Sequence, residues 1–300
     1  SVARKLMQKL YLEARTALLM RMELFGLPVL GKDVDELGLL ILCWLPALVI
    51  WLAKLRDEYK PRSSEPATAS TGHSVVTVYW PLLLALFTVS LGAFFDPMQP
   101  LDVWPPPLDV SRAPQLLFHP LFILCAIMSA SGLFLARQIA IEHSITAYEH
   151  FAMVWWTLNV TWFQMGCDVF SGLFAVMPNL SECYLVLNAN HKLPTFHEKR
   201  VVMDCVYLLE LLVQVPCAVV TFALYMRRSP CRYVVEAFTC GMHVAAMVAF
   251  YIPDLIMGES TSFVTHLDRA IACCWIVVPF GLLVRAVQLS DTTSARGTEE

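Results

Sequence analysis

Seven apolar runs, each close to the length of a bilayer crossing, constrain this chain more than any other feature. They fall at about residues 37–53, 74–95, 115–136, 151–178, 203–226, 236–253 and 270–289. Each offers about 15 to 28 mostly uncharged residues, against the roughly 20 that a membrane-spanning helix needs. Lipid offers the backbone no hydrogen-bond partners, so runs of this length predict helices, which satisfy their own peptide groups. The expected fold is therefore all-α, a polytopic transmembrane bundle of about seven helices. A composition of 57% hydrophobic and 15% charged residues with a mean hydropathy of +0.60 agrees, and excludes a soluble two-domain protein. A net charge of −4 without a Lys/Arg tract points away from nucleic acid.

The stretches between the runs set the organisation. Residues 1–35 place Leu6, Leu10, Ala14, Leu18 and Met22 on one side, with Arg4, Lys5, Lys9, Arg15 and Arg21 between them. That pattern is too charged to span and suits an amphipathic helix lying in the membrane interface. The chain begins at Ser rather than Met, from which removal of a presequence is expected. Residues 36–114 hold an additional helix pair with a polar loop at 54–73 and a proline-rich one at 96–114, whose six prolines favour an extended path. Residues 115–290 hold five further helices, and 291–300 form a polar tail.

Two polar runs sit inside these segments, where an ionisable side chain is expensive and usually faces a cavity or a partner. One is Trp162-Phe-Gln164-Met-Gly-Cys-Asp168; the other is Glu210-Leu-Leu-Val-Gln214-Val-Pro216. Gln164 and Asp168 are four apart, as are Glu210 and Gln214, so each pair shares a helix face and the two carboxylates are expected to look into one pocket. Each group has a second reading. Asp168 could serve as an inter-helix hydrogen-bonding group, Glu210 could pair with His243, and Trp275 could be packing rather than a cation-π platform. The Trp155-Trp156 pair reads as part of an aromatic belt.

Eight of the ten cysteines, Cys43, Cys125, Cys167, Cys205, Cys217, Cys240, Cys273 and Cys274, fall in apolar runs without a CxxC, as small buried hydrophobes would. His119 and His243 lie in apolar runs, but nothing else suggests haem, and His191, His197 and Glu198 match no metal spacing. No metal and no cofactor are expected.

From about residue 119 to 289 the chain resembles the emopamil-binding protein family, whose EXPERA domain is shared by sterol isomerases and the sigma-two receptor. The resemblance is carried by 121–132, by Gln164 to Asp168, by Glu210 to Pro216, by Arg227-Arg-Ser-Pro-Cys-Arg-Tyr233, by Gly241-Met-His243 and by Trp275-Ile-Val-Val-Pro279. It implies a five-helix bundle with a ligand cavity open to the membrane, and a site of Gln164, Asp168, Glu210, Gln214, His243 and Trp275. Asp168 stands where the isomerases have a glutamate, Trp275 stands at their tryptophan, and Glu210 matches the second acid of the sigma-two receptor. Gln164 replaces the isomerase histidine and Ala272 the asparagine, so the set of proton carriers is incomplete.

The expectation is a scaffold without turnover, a pseudoenzyme serving as a structural or lipid-binding accessory subunit of a larger membrane complex. Its partners would be lipids or a sterol together with protein subunits, and the basic N-terminal segment places it in the mitochondrial inner membrane ahead of the endoplasmic reticulum. The alternatives are an active sterol isomerase of the endoplasmic reticulum, in which Asp168 and Glu210 carry the protons, and a sigma-receptor-like binder of sterols or cationic amphiphiles.

Overall fold

The computed structural model describes residues 75–94, 109–143, 145–187, 189–257 and 274–290. The chain divides into two compact units, Ser1–Pro66 and Ala67–Glu300, and every described residue belongs to the second. The expected interfacial helix, the crossing at 37–53, the polar loop at 54–73 and the C-terminal tail lie outside the described residues, as do Cys43, Ala272 and Cys273.

All described secondary structure is helical. Helix α1 spans Val75–Phe94. After a 3-10 turn at Val110–Arg112 come α2, Ala113–Leu117, and α3, Pro120–His143. Helix α4 runs over Ala147–Leu158 and continues as a π-helix over Asn159–Leu173. Helix α5 is Leu180–Leu187, followed by a 3-10 turn at Ala189–Lys192. Helix α6, Val201–Leu209, passes through a π segment, Glu210–Gln214, into α7, Val215–Met226. Helix α8 is Arg232–Met257 and α9 is Cys274–Ser290. Among the described residues three helices have the length and hydropathy of a membrane crossing: Pro120–His143, Val201–Met226 and Arg232–Tyr251. The protein is an all-α membrane bundle.

The ends of these helices follow local chemistry. Asp109 caps the turn that precedes α2, accepting from the Ser111 amide at 2.9 Å and the Ser111 hydroxyl at 2.6 Å. Those bonds hold its carboxyl below the ordinary aspartate range. Thr146 and Glu149 form a capping box at the start of α4, each side chain accepting from the other's backbone N–H. Pro216 accounts for the π segment before α7. A proline ring collides with the carbonyl four residues earlier and supplies no N–H, and a widened turn relieves both faults.

The centre of the bundle is α4 with its π-helical continuation. From Ala152 to Leu173 every residue is buried except Asp168, which is half-buried. A helix covered on all sides needs close neighbours, and two glycines provide them. A Cβ on Gly132 of α3 would stand 2.4 Å from Thr157, and one on Gly172 would stand 2.9 Å from the Tyr207 ring. Helix α1, outside the resemblance, lies along the same central helix. The Trp162 indole donates to Thr88 at 2.5 Å, the Tyr79 hydroxyl meets His150 at 2.9 Å, and Trp80 stacks on Phe151. Trp155 and Trp156 are also core residues, not a belt, because neighbouring helices enclose both indoles. Cys125, Cys167 and Cys240 are buried as expected; Cys205 is exposed on α6.

Candidate functional site

Helices α4, α6–α7 and α8 meet along a column of buried polar side chains, and the two π segments lie on it. In the middle of the column Gln164, Gln214 and His243 form a closed cluster. Gln164 Nε2 donates to Gln214 Oε1 at 2.7 Å, and His243 Nδ1 lies 2.8 Å from the same oxygen. Gln164 Nε2 also lies 3.4 Å from Nδ1, so the imidazole nitrogen sits between both amides, as donor or acceptor according to the tautomer. Gln214 Nε2 reaches the Met242 carbonyl at 3.5 Å. The three side chains are between 0% and 1% exposed.

Three polar atoms around this cluster have no internal hydrogen bond: Gln164 Oε1, His243 Nε2 and Glu210 Oε2. Native interiors rarely leave such atoms unmet, and where they do a water, an ion or a ligand is the usual reason. Glu210 is 2% exposed, and among the described residues no positive charge faces it. Its charged neighbour is Asp168, a like charge. Asp168 accepts from the Tyr184 hydroxyl of α5 at 2.6 Å. The two acids therefore face one another electrostatically, and the second reading of Glu210, a pair with His243, is corrected: the imidazole is turned to Gln214. The reason is register, since Gln214 rather than Glu210 stands level with His243 where the π segment before α7 passes α8.

Trp275 is placed elsewhere on the column. Its indole donates to Asn159 Oδ1 at 3.1 Å and meets Phe163 edge-on at 4.8 Å, so its partners begin nine positions before Asp168. The other buried atom of that amide, Asn159 Nδ2, is also without a partner. The indole edge-on to His243 is that of Trp156, at 6.3 Å. The structure thus joins Gln164, Gln214 and His243 directly, makes Asp168 the charge that acts on Glu210, and ties Trp275 to Asn159, at the start of the same π-helix, rather than to the cluster.

The sequence reading missed both ends of the column. At one end Glu236 of α8 is completely buried and accepts from the Tyr225 hydroxyl at 2.5 Å, the Tyr148 hydroxyl at 2.7 Å and the Trp156 indole at 3.3 Å. Just outside it, Glu149 is bound by Arg232 at 3.1 Å and by the Tyr233 hydroxyl at 2.8 Å. At the other end Arg200 pairs with Asp204 at 2.7 Å and donates to the carbonyls of Gly172, Leu173, His191 and Leu193, clamping the loop after α5 onto the end of the π-helix. Beneath that clamp the His191 imidazole meets the Tyr207 hydroxyl at 2.9 Å. His119, expected deep in a run, stands half-buried at the turn before α3.

Compared with known proteins, residues 176–286 match the family described as EXPERA (EXPanded EBP superfamily). No curated protein and no solved structure matches the chain. The match runs from α5 through most of α9, and so includes Glu210, Gln214, His243 and Trp275, while Gln164 and Asp168 precede it.

Proposed function

With the EXPERA domain at residues 176–286 as premise, we propose that this membrane protein binds a sterol or another amphipathic lipid at the centre of its bundle without turning it over. The observation that carries the reading is the set of unmet polar atoms on Gln164, His243 and Glu210, buried between three helices at mid-span. A lipid that enters sideways would bring its polar head to those atoms and leave its apolar body among the surrounding side chains. Gln164 supports binding over isomerisation. Its amide exchanges no proton at useful pH, and it is already committed to Gln214. Asp168 and Glu210 act in this reading as anchors for the polar head.

The test is equilibrium binding of a photoreactive sterol and of a lipophilic amine to the full chain in nanodiscs. Glu210→Gln or Asp168→Asn should weaken one of the probes by about tenfold or more, the value of a hydrogen bond to a charged group. Unchanged affinity for both probes in both variants would reject the site. Isomerised sterol appearing in the wild type and not in Asp168→Asn would overturn the absence of turnover. The proposal extends to an accessory subunit of a mitochondrial inner-membrane complex, supported by the basic amphipathic pattern of residues 2–25. Native electrophoresis of tagged protein from isolated mitochondria tests it; migration at the size of the free chain, or recovery only from microsomes, would reject it.

A further inference from the structure

The described spans of membrane length share a boundary at one end of the bundle: Pro120–His143 and Val201–Met226 finish there, and Arg232–Tyr251 begins there. A contact fixes their common level, since Arg228 Nη1 donates to the His143 carbonyl at 3.3 Å. A boundary of this kind is where the hydrocarbon gives way to lipid headgroups. This end carries Arg137 on the last two turns of α3, Arg227 and Arg228 after α7, Arg232 at the start of α8, and Arg285 of α9, just beyond the Leu282 carbonyl that accepts from Tyr148. Against these arginines stand Glu142 of α3 and Glu149 of α4, while Glu236 lies one turn further in, enclosed by its own donors. The opposite end is balanced. Arg112 is paired with Glu182 and Arg200 with Asp204, and Lys192 and Lys199 are matched in number by Asp109 and Glu198.

The turn between α7 and α8 holds two of the arginine charges outward. Arg232 is neutralised by Glu149, to which its Nε and Nη2 donate at 3.2 and 3.1 Å, and its Nη1 ties the turn down by donating to the carbonyls of Arg228 and Ser229 at 3.3 and 2.9 Å. Arg228 itself takes the left-handed backbone that ends α7, with φ 52°. Its amide bonds the Tyr225 carbonyl and the Ser229 amide bonds that of Leu224, both at 3.0 Å, a helix end at which glycine is the unstrained choice. Arg227 and Arg228 are both exposed, and neither is paired with an acid among the described residues. The one side-chain bond of Arg228 goes to a neutral carbonyl, which leaves its charge and four of its five N–H groups unused. A cation after a helix C-terminus suits the helix dipole, but Arg227 already serves that role, which gives no reason for a strained arginine beside it.

We propose that Arg227 and Arg228 form a docking site for the phosphate of an anionic phospholipid, at the level where the helices leave the hydrocarbon. The planar guanidinium fork matches phosphate oxygens, and basic residues placed at this level are what anionic headgroups bind. Charge complementarity selects the occupant. A zwitterionic headgroup brings its own cation toward the arginines, whereas an anionic one brings none. The helices that end here expose apolar side chains below the arginines, Ile141 on α3 and Val219 and Val220 on α7, which acyl chains can cover. The site is distinct from the buried column and does not depend on what the column binds.

Native mass spectrometry of the full chain, released from mixed micelles of phosphatidylglycerol and phosphatidylcholine, tests the proposal. The wild type should retain phosphatidylglycerol over phosphatidylcholine by about tenfold or more. Arg227→Gln with Arg228→Gln should bring that ratio to within about twofold. Lys192→Gln with Lys199→Gln removes the same charge from exposed positions at the opposite end and should leave the ratio unchanged. Arg228→Gly keeps the left-handed turn without strain and should lose about fivefold, the worth of one basic residue at an anionic surface. A preference that survives in the arginine pair, that falls equally in the lysine pair, or that is missing from the wild type overturns the site. Displacement of the retained lipid by soluble glycerol phosphate at equal concentration overturns the lipid as its occupant.

Discussion

Glu236 and Glu210 are both buried carboxyls on membrane helices, 0% and 2% exposed, yet they are provided for in opposite ways. Two phenolic hydroxyls and an indole N–H converge on Glu236. Glu210 feels another acid, and one of its oxygens has no hydrogen-bond partner among the described residues. A fully bonded buried acid organises the side chains around it, so its removal strands them. An acid without such bonds contributes little to the fold and costs desolvation, which gives it another reason to be there. The difference separates a group that builds the column from a group that uses it.

Removing the well-bonded acid is the strongest test of that separation. Glu236→Ala leaves the Tyr148, Tyr225 and Trp156 donors unpaired in the interior, and at 1 to 3 kcal/mol for each stranded group the loss should be on the order of 3 kcal/mol or more. Reversible unfolding in mixed micelles measures it. A loss under about 1 kcal/mol, within the range of an ordinary surface change, would mean that the three donors find other partners and that the contrast with Glu210 is one of appearance.

Gln214→Leu should fall between the two acids. It removes the oxygen shared by Gln164 Nε2 and His243 Nδ1, and the two stranded donors should cost about 2 kcal/mol. His243→Phe removes one of the same two contacts and should cost less. If the order is reversed, the imidazole rather than the amide is the keystone of the cluster.

How much of this could be read beforehand depends on what each residue needs. The apolar runs set the helices: the expected span at 203–226 is observed as Val201–Met226, and that at 74–95 as Val75–Phe94. The spacing of four puts Gln164 and Gln214 each on the face of an acid, but that the two amides bond one another depends on how the two helices are set in depth, which packing alone decides. Glu236 has no signal in the sequence because it is the first residue of the apolar run at 236–253, whereas helix α8 starts a turn earlier at Arg232 and carries it inside. The long π segment at Asn159–Leu173 leaves no local signature. Its wide turns are held by packing such as Gly172 against Tyr207, and only the tertiary structure supplies that.

The smallest expected effect is the sharpest check on the comparison. Glu210→Leu replaces a carboxyl that has, among the described residues, no cationic partner and one unbonded oxygen with an apolar group of similar size. Stability should be unchanged or rise by up to about 1 kcal/mol, since replacing an uncompensated buried polar group is commonly neutral or favourable. The same variant should lose lipid binding, because its anchor is gone. A destabilisation comparable to that of Glu236→Ala would place Glu210 among the structural acids. It would also show that Asp168, Tyr184 and Glu210 share a hydrogen-bonded arrangement whose worth exceeds its visible contacts. Measuring Glu210→Leu together with Asp168→Asn then decides the matter: if the two changes act through one shared site their effects will not add, whereas independent groups give the simple sum to within about 0.5 kcal/mol.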